Sequence, residues 1–132
     1  MSQVTYDTAV SSKRLWAGRI ISALAVLLLL FSGAMKLLKA QAVIVGMTHY
    51  GYPEHLILYI GILEVACTIV YLIPRTAILG AVLMTAYLGG ATATKVRVGD
   101  PSFIGPVVAG VFVWAGLYLR DARLSALIPV RR

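Results

Sequence analysis

The sequence predicts an all-α fold, an integral membrane four-helix bundle, and two observations carry that prediction. The 132 residues are 60% hydrophobic and 13% charged, an apolar share well above that of soluble domains. Four runs reach the roughly 20 residues that a bilayer-spanning helix needs: about Leu15 to Leu38, Glu54 to Ile73, Arg75 to Val96 and Phe103 to Leu119. Backbone polar groups inside lipid must be satisfied within their own segment, so helices are the form expected of such runs. Residues 1–14 then form a polar N-terminal tail, 15–119 a single membrane domain and 120–132 a basic tail.

The first span follows Lys13 and Arg14 and contains Arg19 ahead of the core "LAVLLLLFSGAM". A secretory leader is the competing reading of this end. The apolar stretch is longer than the roughly 7 to 15 residues of a leader core, however, and no clear small-residue cleavage site follows it. At helical spacing, Gly18, Ser22, Ala25, Leu29, Ser32 or Gly33, and Lys36 fall on one stripe, which leaves Leu27, Leu28 and Leu30 for lipid. The second span offers Gly61, Glu64, Thr68 and Tyr71, the third Gly80, Met84, Tyr87 and Ala91, and the fourth Gly105, Ala109, Val113 and Gly116. Small residues at such spacing let helix backbones approach closely in lipid. They argue for a tight bundle and not for a reaction. Between the first two spans, "AQAVIVGM" is apolar enough to lie in the membrane interface, where it would act as a lid, and Gly51 with Pro53 turns the chain into the second span.

Charge sets the expected orientation. Lys13, Arg14, Arg19, Arg75, Arg120, Arg123, Arg131 and Arg132 fall at one end of the bundle, and Lys36, Lys39, Lys95 and Arg97 at the other. The positive-inside bias therefore places both termini in the cytoplasm and the chain in the cell's inner (plasma) membrane. The net charge of +7 reads as topology and attraction to anionic headgroups. No basic patch interleaved with exposed aromatics occupies a soluble face, so no nucleic acid is expected as a partner.

Several chemistries lack their residues. Cys67 is the single cysteine and sits inside the second span, so there is no intrachain disulfide and no CxxC pair. His49 and His55 are the only histidines and have no third ligand nearby in sequence, so no metal site is expected. Neither a GxxxxGK[ST] loop nor a GxGxxG turn is present to hold a nucleotide. The chain contains no Asn to carry an N-linked glycan. No self-contained catalytic motif or electron carrier is visible.

Glu64 is the residue that these apolar runs do not explain. By helical rise it lies roughly 15 Å from each membrane face, with Tyr87 and Trp114 at about the same level. An isolated carboxylate at that depth costs about 2.5–3.5 kcal/mol on insertion scales, so Glu64 is expected to be protonated or paired. Tyr87, Thr85 and Thr68 are candidate hydrogen-bond partners. Lys36 and Lys95 are the available cations, roughly 10 Å above it by the same rise, so a direct ion pair requires side chains that reach inward or a bridging water. Glu64 as interhelical glue is one reading; an intramembrane acid as part of a functional site is the other. Lys36, Lys95 and Arg97 equally suit snorkelling to the outer headgroups. Together with His49, Tyr50, Tyr52 and His55 they gather at one end of the bundle, which could receive an anionic or polar headgroup.

The segments "FSGAMKLL", "GYP", "GILEVACTIVYLIPRTAILGAVLMTAYLGG", "VRVGDP" and "WAGLYLRDARLSALIPVRR" resemble the DoxX-like family of small four-helix membrane proteins. The likeness covers nearly everything after Leu15. It implies the four-helix fold and, through the broader DoxX and DoxD group, an association with membrane oxidoreductases that include a thiosulfate:quinone oxidoreductase subunit. It places Lys36 and Glu64 at recurrent polar positions of the family. Lys95 stands where many relatives carry a histidine, which puts in doubt any proton-relay or metal role taken over from that histidine.

Residues and resemblance together lead to the expectation of a small membrane subunit that binds a quinone or similar apolar molecule in support of a membrane oxidoreductase. Glu64 would hydrogen-bond or exchange a proton with the headgroup, Tyr87 and Trp114 would wall the pocket, and Lys36 and Lys95 would stabilise an anion at the outer mouth. Redox work would need a partner subunit, and a second copy of the chain is the other expected partner beside the lipid bilayer. The alternative is a non-catalytic membrane adaptor that docks a partner protein or anionic lipid through "RDARLSALIPVRR". A small-molecule exporter has less support, because four helices offer a narrow path and one deep acid.

Overall fold

The computed structural model describes residues 11–127 and contains four helices long and apolar enough to cross a membrane. These are α1 (Ser12–Leu37), α3 (Glu54–Leu72), α4 (Ala77–Arg97) and α5 (Ile104–Arg120). Two shorter helices accompany them, α2 (Gln41–His49) and α6 (Ala122–Leu127). Most of the polar N-terminal tail and the end of the basic tail, with Arg131 and Arg132, lie outside the described residues.

Local chemistry explains where the helices start and stop. The hydroxyl of Ser11 accepts the Arg14 backbone N–H at 3.2 Å, an N-cap that starts α1 at Ser12, ahead of the apolar run itself. α3 ends at Leu72, because Ile73 precedes Pro74 and takes an extended conformation (φ −80°, ψ 120°). Pro74 and Pro101 each open a one-turn 3₁₀ helix, where the missing N–H costs nothing, and these turns lead into α4 and α5. Gly51, at φ +92°, makes the turn from α2 toward α3 that a residue with a Cβ would strain to make.

The four long helices form a closed ring. α1 packs on α3 and α5, and α4 packs on the same two from the opposite side. Lipid tails are as apolar as leucine, so close van der Waals contact, not exclusion of water, holds such helices together. A Cβ on Gly18 would lie 2.7 Å from the Gly116 carbonyl oxygen, and one on Gly80 would strike the Tyr71 backbone. The core holds Leu29, Ile57, Tyr71, Met84, Val113 and Leu117, while Leu27 and Leu28 are exposed. Two details differ from the stripe expected of the sequence. Leu30 packs against the core and does not face lipid, and Gly105 is exposed, because the close approach of α5 begins only at Ala109.

The connection expected to lie in the interface is itself helical. α2 has no buried residue and packs weakly, touching only α1 and α3. It lies across the end of the bundle where α1 ends and α3 begins. Hydrogen bonds then tie the chain after it to α4. Tyr52 Oη and Thr94 Oγ1 are 2.7 Å apart, and Arg97 donates to the Tyr50 carbonyl.

Candidate functional site

Glu64 is 2% exposed and is paired. Lys36 Nζ lies 2.9 Å from Glu64 Oε1 and donates in addition to Ser32 Oγ at 2.8 Å; Ser32 Oγ in turn lies 3.3 Å from Oε1. The rise from the helix ends had placed the lysine about two turns above the acid. A Cβ on Gly61 would sit only 2.8 Å from Lys36 Cβ, which puts Lys36 level with Gly61. Gly61 is three residues before Glu64, so the step down is roughly 4.5 Å. A lysine stem covers that distance. The side chain therefore reaches inward instead of snorkelling outward, because neutralising a buried carboxylate outweighs hydration at the headgroups.

The expected hydroxyl partners take other roles. Thr68 Oγ1 donates to the Glu64 backbone carbonyl at 2.8 Å, which leaves the carboxylate untouched. Thr85 donates to the Ala81 carbonyl and accepts from Trp114 Nε1. Tyr87 lies close enough for its hydroxyl to interact with the Glu64 carboxylate, and no other side chain reaches Glu64 Oε2 among the described residues. Both side chains line a chamber of about 400 Å³ between the four long helices and under α2. No buried side-chain oxygen or nitrogen in the described residues lacks a partner.

Apolar side chains make up most of the wall: Leu28, Leu29, Leu88 and Ala109 from the spans, Val43 and Met47 from α2. An adjoining space of about 350 Å³, toward α3 and α4, shares Lys36, Met47, Tyr50, Tyr87, Ala91 and Lys95 with it. Lys95 stands at the mouth, its Nζ donating to Ser102 Oγ at 3.0 Å and lying 5.7 Å from the centre of the Tyr50 ring. The division of labour expected for the two lysines is thus corrected. Lys36 is committed to Glu64, and Lys95 alone of the pair remains at the outer mouth.

Trp114 is a second correction. It does not share the face of the bundle that Glu64 occupies. Trp114 lines a different groove of about 790 Å³ between α4 and α5, together with Thr85, Gly89, Val107 and Tyr118, and is absent from the wall of the Glu64 chamber. Rise along a helix fixes level; only the crossing of the helices fixes which side chains meet. His49 and His55 are exposed and line neither space, and His49 packs its ring against Tyr50.

Sequence reasoning missed the latch over the chamber. Tyr50 Oη donates to Asp100 Oδ2, and Asp100 Oδ1 accepts the Ser102 N–H at 2.8 Å. These bonds hold the Asp100 carboxyl down at about 2, with the Tyr50 hydroxyl as the largest cause, and they push the Tyr50 phenol above its ordinary value. Tyr50 and Asp100 lie 50 residues apart in the chain, so neither the pairing nor its effect on α2 shows in any local pattern.

No curated protein and no solved structure matches this chain. A profile of the DoxX-like family matches residues 20–116, a stretch that holds the Lys36–Glu64 pair, Tyr87, Lys95 and the α2 cover. The match takes in well over half of the chain, and with four spanning helices in a closed ring it makes this protein a multi-pass membrane protein of the DoxX-like family.

Proposed function

We propose that the α2-covered chamber binds a small apolar molecule with a carbonyl or hydroxyl head, a quinone being the favoured class. The chain on this reading is a small subunit supporting a membrane oxidoreductase in the cell's inner membrane, with both termini cytoplasmic. One observation carries the proposal: the Glu64 carboxylate and the Tyr87 hydroxyl converge on the wall of a chamber whose lining is mostly apolar. Ligand pockets are typically apolar with a few convergent polar groups, and about 300–1,000 Å³ is their usual size.

The residues divide the work of binding. Tyr87 donates to a carbonyl oxygen, and Glu64 Oε2 accepts from a hydroxyl, so both the oxidised and the reduced head find a partner. Lys36 pairs with the carboxylate and fixes it in place. Leu28, Leu29 and Ala109 receive the apolar body of the ligand. Electron transfer belongs to a partner subunit.

Mass spectrometry of the lipids and quinones retained by gently purified protein tests the reading. Quinone is expected in the parent protein and depleted in a Tyr87→Phe, Glu64→Gln double variant that remains folded. Equal retention by both, or none by either, would move the reading to a membrane adaptor without a ligand.

A further inference from the structure

The end of the bundle opposite the chamber holds a second polar cluster inside the helix ring. Arg120, at the last turn of α5, donates from Nε to Ser22 Oγ at 3.1 Å, and its guanidinium lies 5.4 Å from the centre of the Tyr71 ring. Ser22 Oγ is 2.9 Å from Tyr71 Oη, and Tyr71 Oη donates to the Val113 carbonyl at 2.7 Å. Tyr71 has one proton and uses it on Val113, so the order runs from Arg120 to Ser22 to Tyr71 to the α5 backbone. Arginines at helix ends normally snorkel freely. This one is held in place by three helices through buried groups, Ser22 and Tyr71 being 7% and 1% exposed.

The anchoring through Nε leaves the two terminal nitrogens of Arg120 without an acceptor among the described residues. Arg120 borders a groove of about 320 Å³ whose other walls include Arg19, Val26, Leu27, Tyr71 and Leu72. Arg19 lies 5.2 Å from the Trp16 ring centre, and Trp16 is 60% exposed, an aromatic placed as interfacial tryptophans are, at headgroup depth. Asp121 is the one carboxylate described at this end, and Arg123 Nε already lies 3.6 Å from it. The groove is thus cationic at its rim and apolar along its floor toward the membrane interior.

We propose that this groove is a binding site for an anionic phospholipid of the adjacent leaflet, with the phosphate between Arg120 and Arg19 and one acyl chain along Val26, Leu27 and Leu72. Charge selects the headgroup. A zwitterionic lipid would bring its own cation among the arginines with no free carboxylate to receive it, whereas an anionic lipid supplies the missing acceptor and adds no cation. The site is independent of the quinone reading, since it shares no residue with the chamber.

The test titrates the full chain in detergent with phosphatidylglycerol or phosphatidylcholine and reads bound lipid by native mass spectrometry. Phosphatidylglycerol should bind more tightly. Arg120 is left in place because it supports Ser22 and Tyr71; Arg19→Gln should lower the preference about five-fold, the effect of removing one cation at a lipid surface. Leu72→Trp, which fills the groove without changing charge, should lower it too. Arg123→Gln removes the same charge away from the groove and should leave the preference intact. Equal binding of the two lipids would overturn the proposal, as would equal losses in Arg19→Gln and Arg123→Gln, which would mean a diffuse field. An unaffected Leu72→Trp variant would also overturn it, and so would a dimer without lipid preference, which would give the groove to a second copy.

Discussion

Lys36 Cβ faces Gly61 so closely that any side chain at 61 would displace it, and this fit is what lets Lys36 Nζ come within 2.9 Å of Glu64 Oε1. The ion pair therefore depends on a glycine three residues away on the partner helix. Replacing Gly61 with Leu should separate α1 from α3 at this level and break the pair. Thermal unfolding in detergent should show a loss of several degrees or more, whereas Ile62→Ala, at a lipid-facing side chain of the same turn, should stay close to the parent. Equal midpoints for Gly61→Leu and the parent would mean that the contact carries no weight.

The two partners of the pair are not equivalent. Removing Lys36 leaves a 2%-exposed carboxylate without its cation, and breaking a buried pair in this way costs about 3–5 kcal/mol. Glu64→Gln leaves a lysine near a helix end that can swing to the headgroups, so its loss should be smaller. Lys36→Met should therefore destabilise more than Glu64→Gln, and the Lys36→Met, Glu64→Leu double variant should recover most of the loss. Identical losses in the two single variants would show that Lys36 cannot swing out. A double variant as unstable as Lys36→Met would place the cost in packing and not in charge.

How much of this was legible beforehand depended on the range of the interaction. Four spans, the small-residue stripes and the oddity of Glu64 are all encoded within one helix, so a period of 3.6 residues exposes them. Ser22, Ala25, Leu29 and Gly33 on α1 and Gly61, Glu64, Thr68 and Tyr71 on α3 are buried as that period requires. The Glu64–Lys36 contact was undercounted because stagger between helices is set by where small residues meet, here Gly61. Trp114 was misplaced because depth says nothing about azimuth. The helical form of α2 stayed hidden because a mostly apolar stretch of nine residues fits an interfacial loop as well as a helix. The Arg120–Ser22–Tyr71 chain joins three helices, and no local pattern marks it.

The latch on α2 should respond to acid in a defined window. Asp100 lies below its ordinary 3.8, at about 2, chiefly because the Tyr50 hydroxyl favours its charged form. With the folded value below the unfolded one, the stabilisation is complete above about pH 3.8 and is lost as pH falls through about 2. Melting midpoints should therefore drop over that window, and Tyr50→Phe should flatten the drop. A parent and a Tyr50→Phe variant with the same pH profile would dissociate the latch from Asp100. At the alkaline side, Tyr50 lies above its ordinary 10.0, so its contribution holds below that value and fades as pH rises through the raised one.

Orientation rests on the charge asymmetry between the bundle ends. Single cysteines placed in the Gly99 to Ser102 loop of a Cys67→Ala background should react with an impermeant thiol reagent from outside the cell, and a cysteine at Ser125 should be protected. The reverse pattern would place the Glu64 chamber at the cytoplasmic end and move any partner subunit with it.

Tyr87 and Trp114 provide the sharpest contrast for the chamber itself. Both are aromatic and both carry one hydrogen-bond donor, yet only Tyr87 lines the space beside Glu64. Tyr87→Phe removes the hydroxyl and keeps the ring, so the wall remains while the donor disappears. A hydrogen bond to a ligand contributes about 0.5–1.5 kcal/mol net, so quinone-analogue affinity should fall between roughly two- and twelve-fold. Trp114→Phe breaks the bond to Thr85 on the far groove and should leave that affinity unchanged, although it costs some stability. If Trp114→Phe weakened the analogue and Tyr87→Phe did not, the ligand would lie in the groove between α4 and α5, and Glu64 would return to the role of interhelical glue.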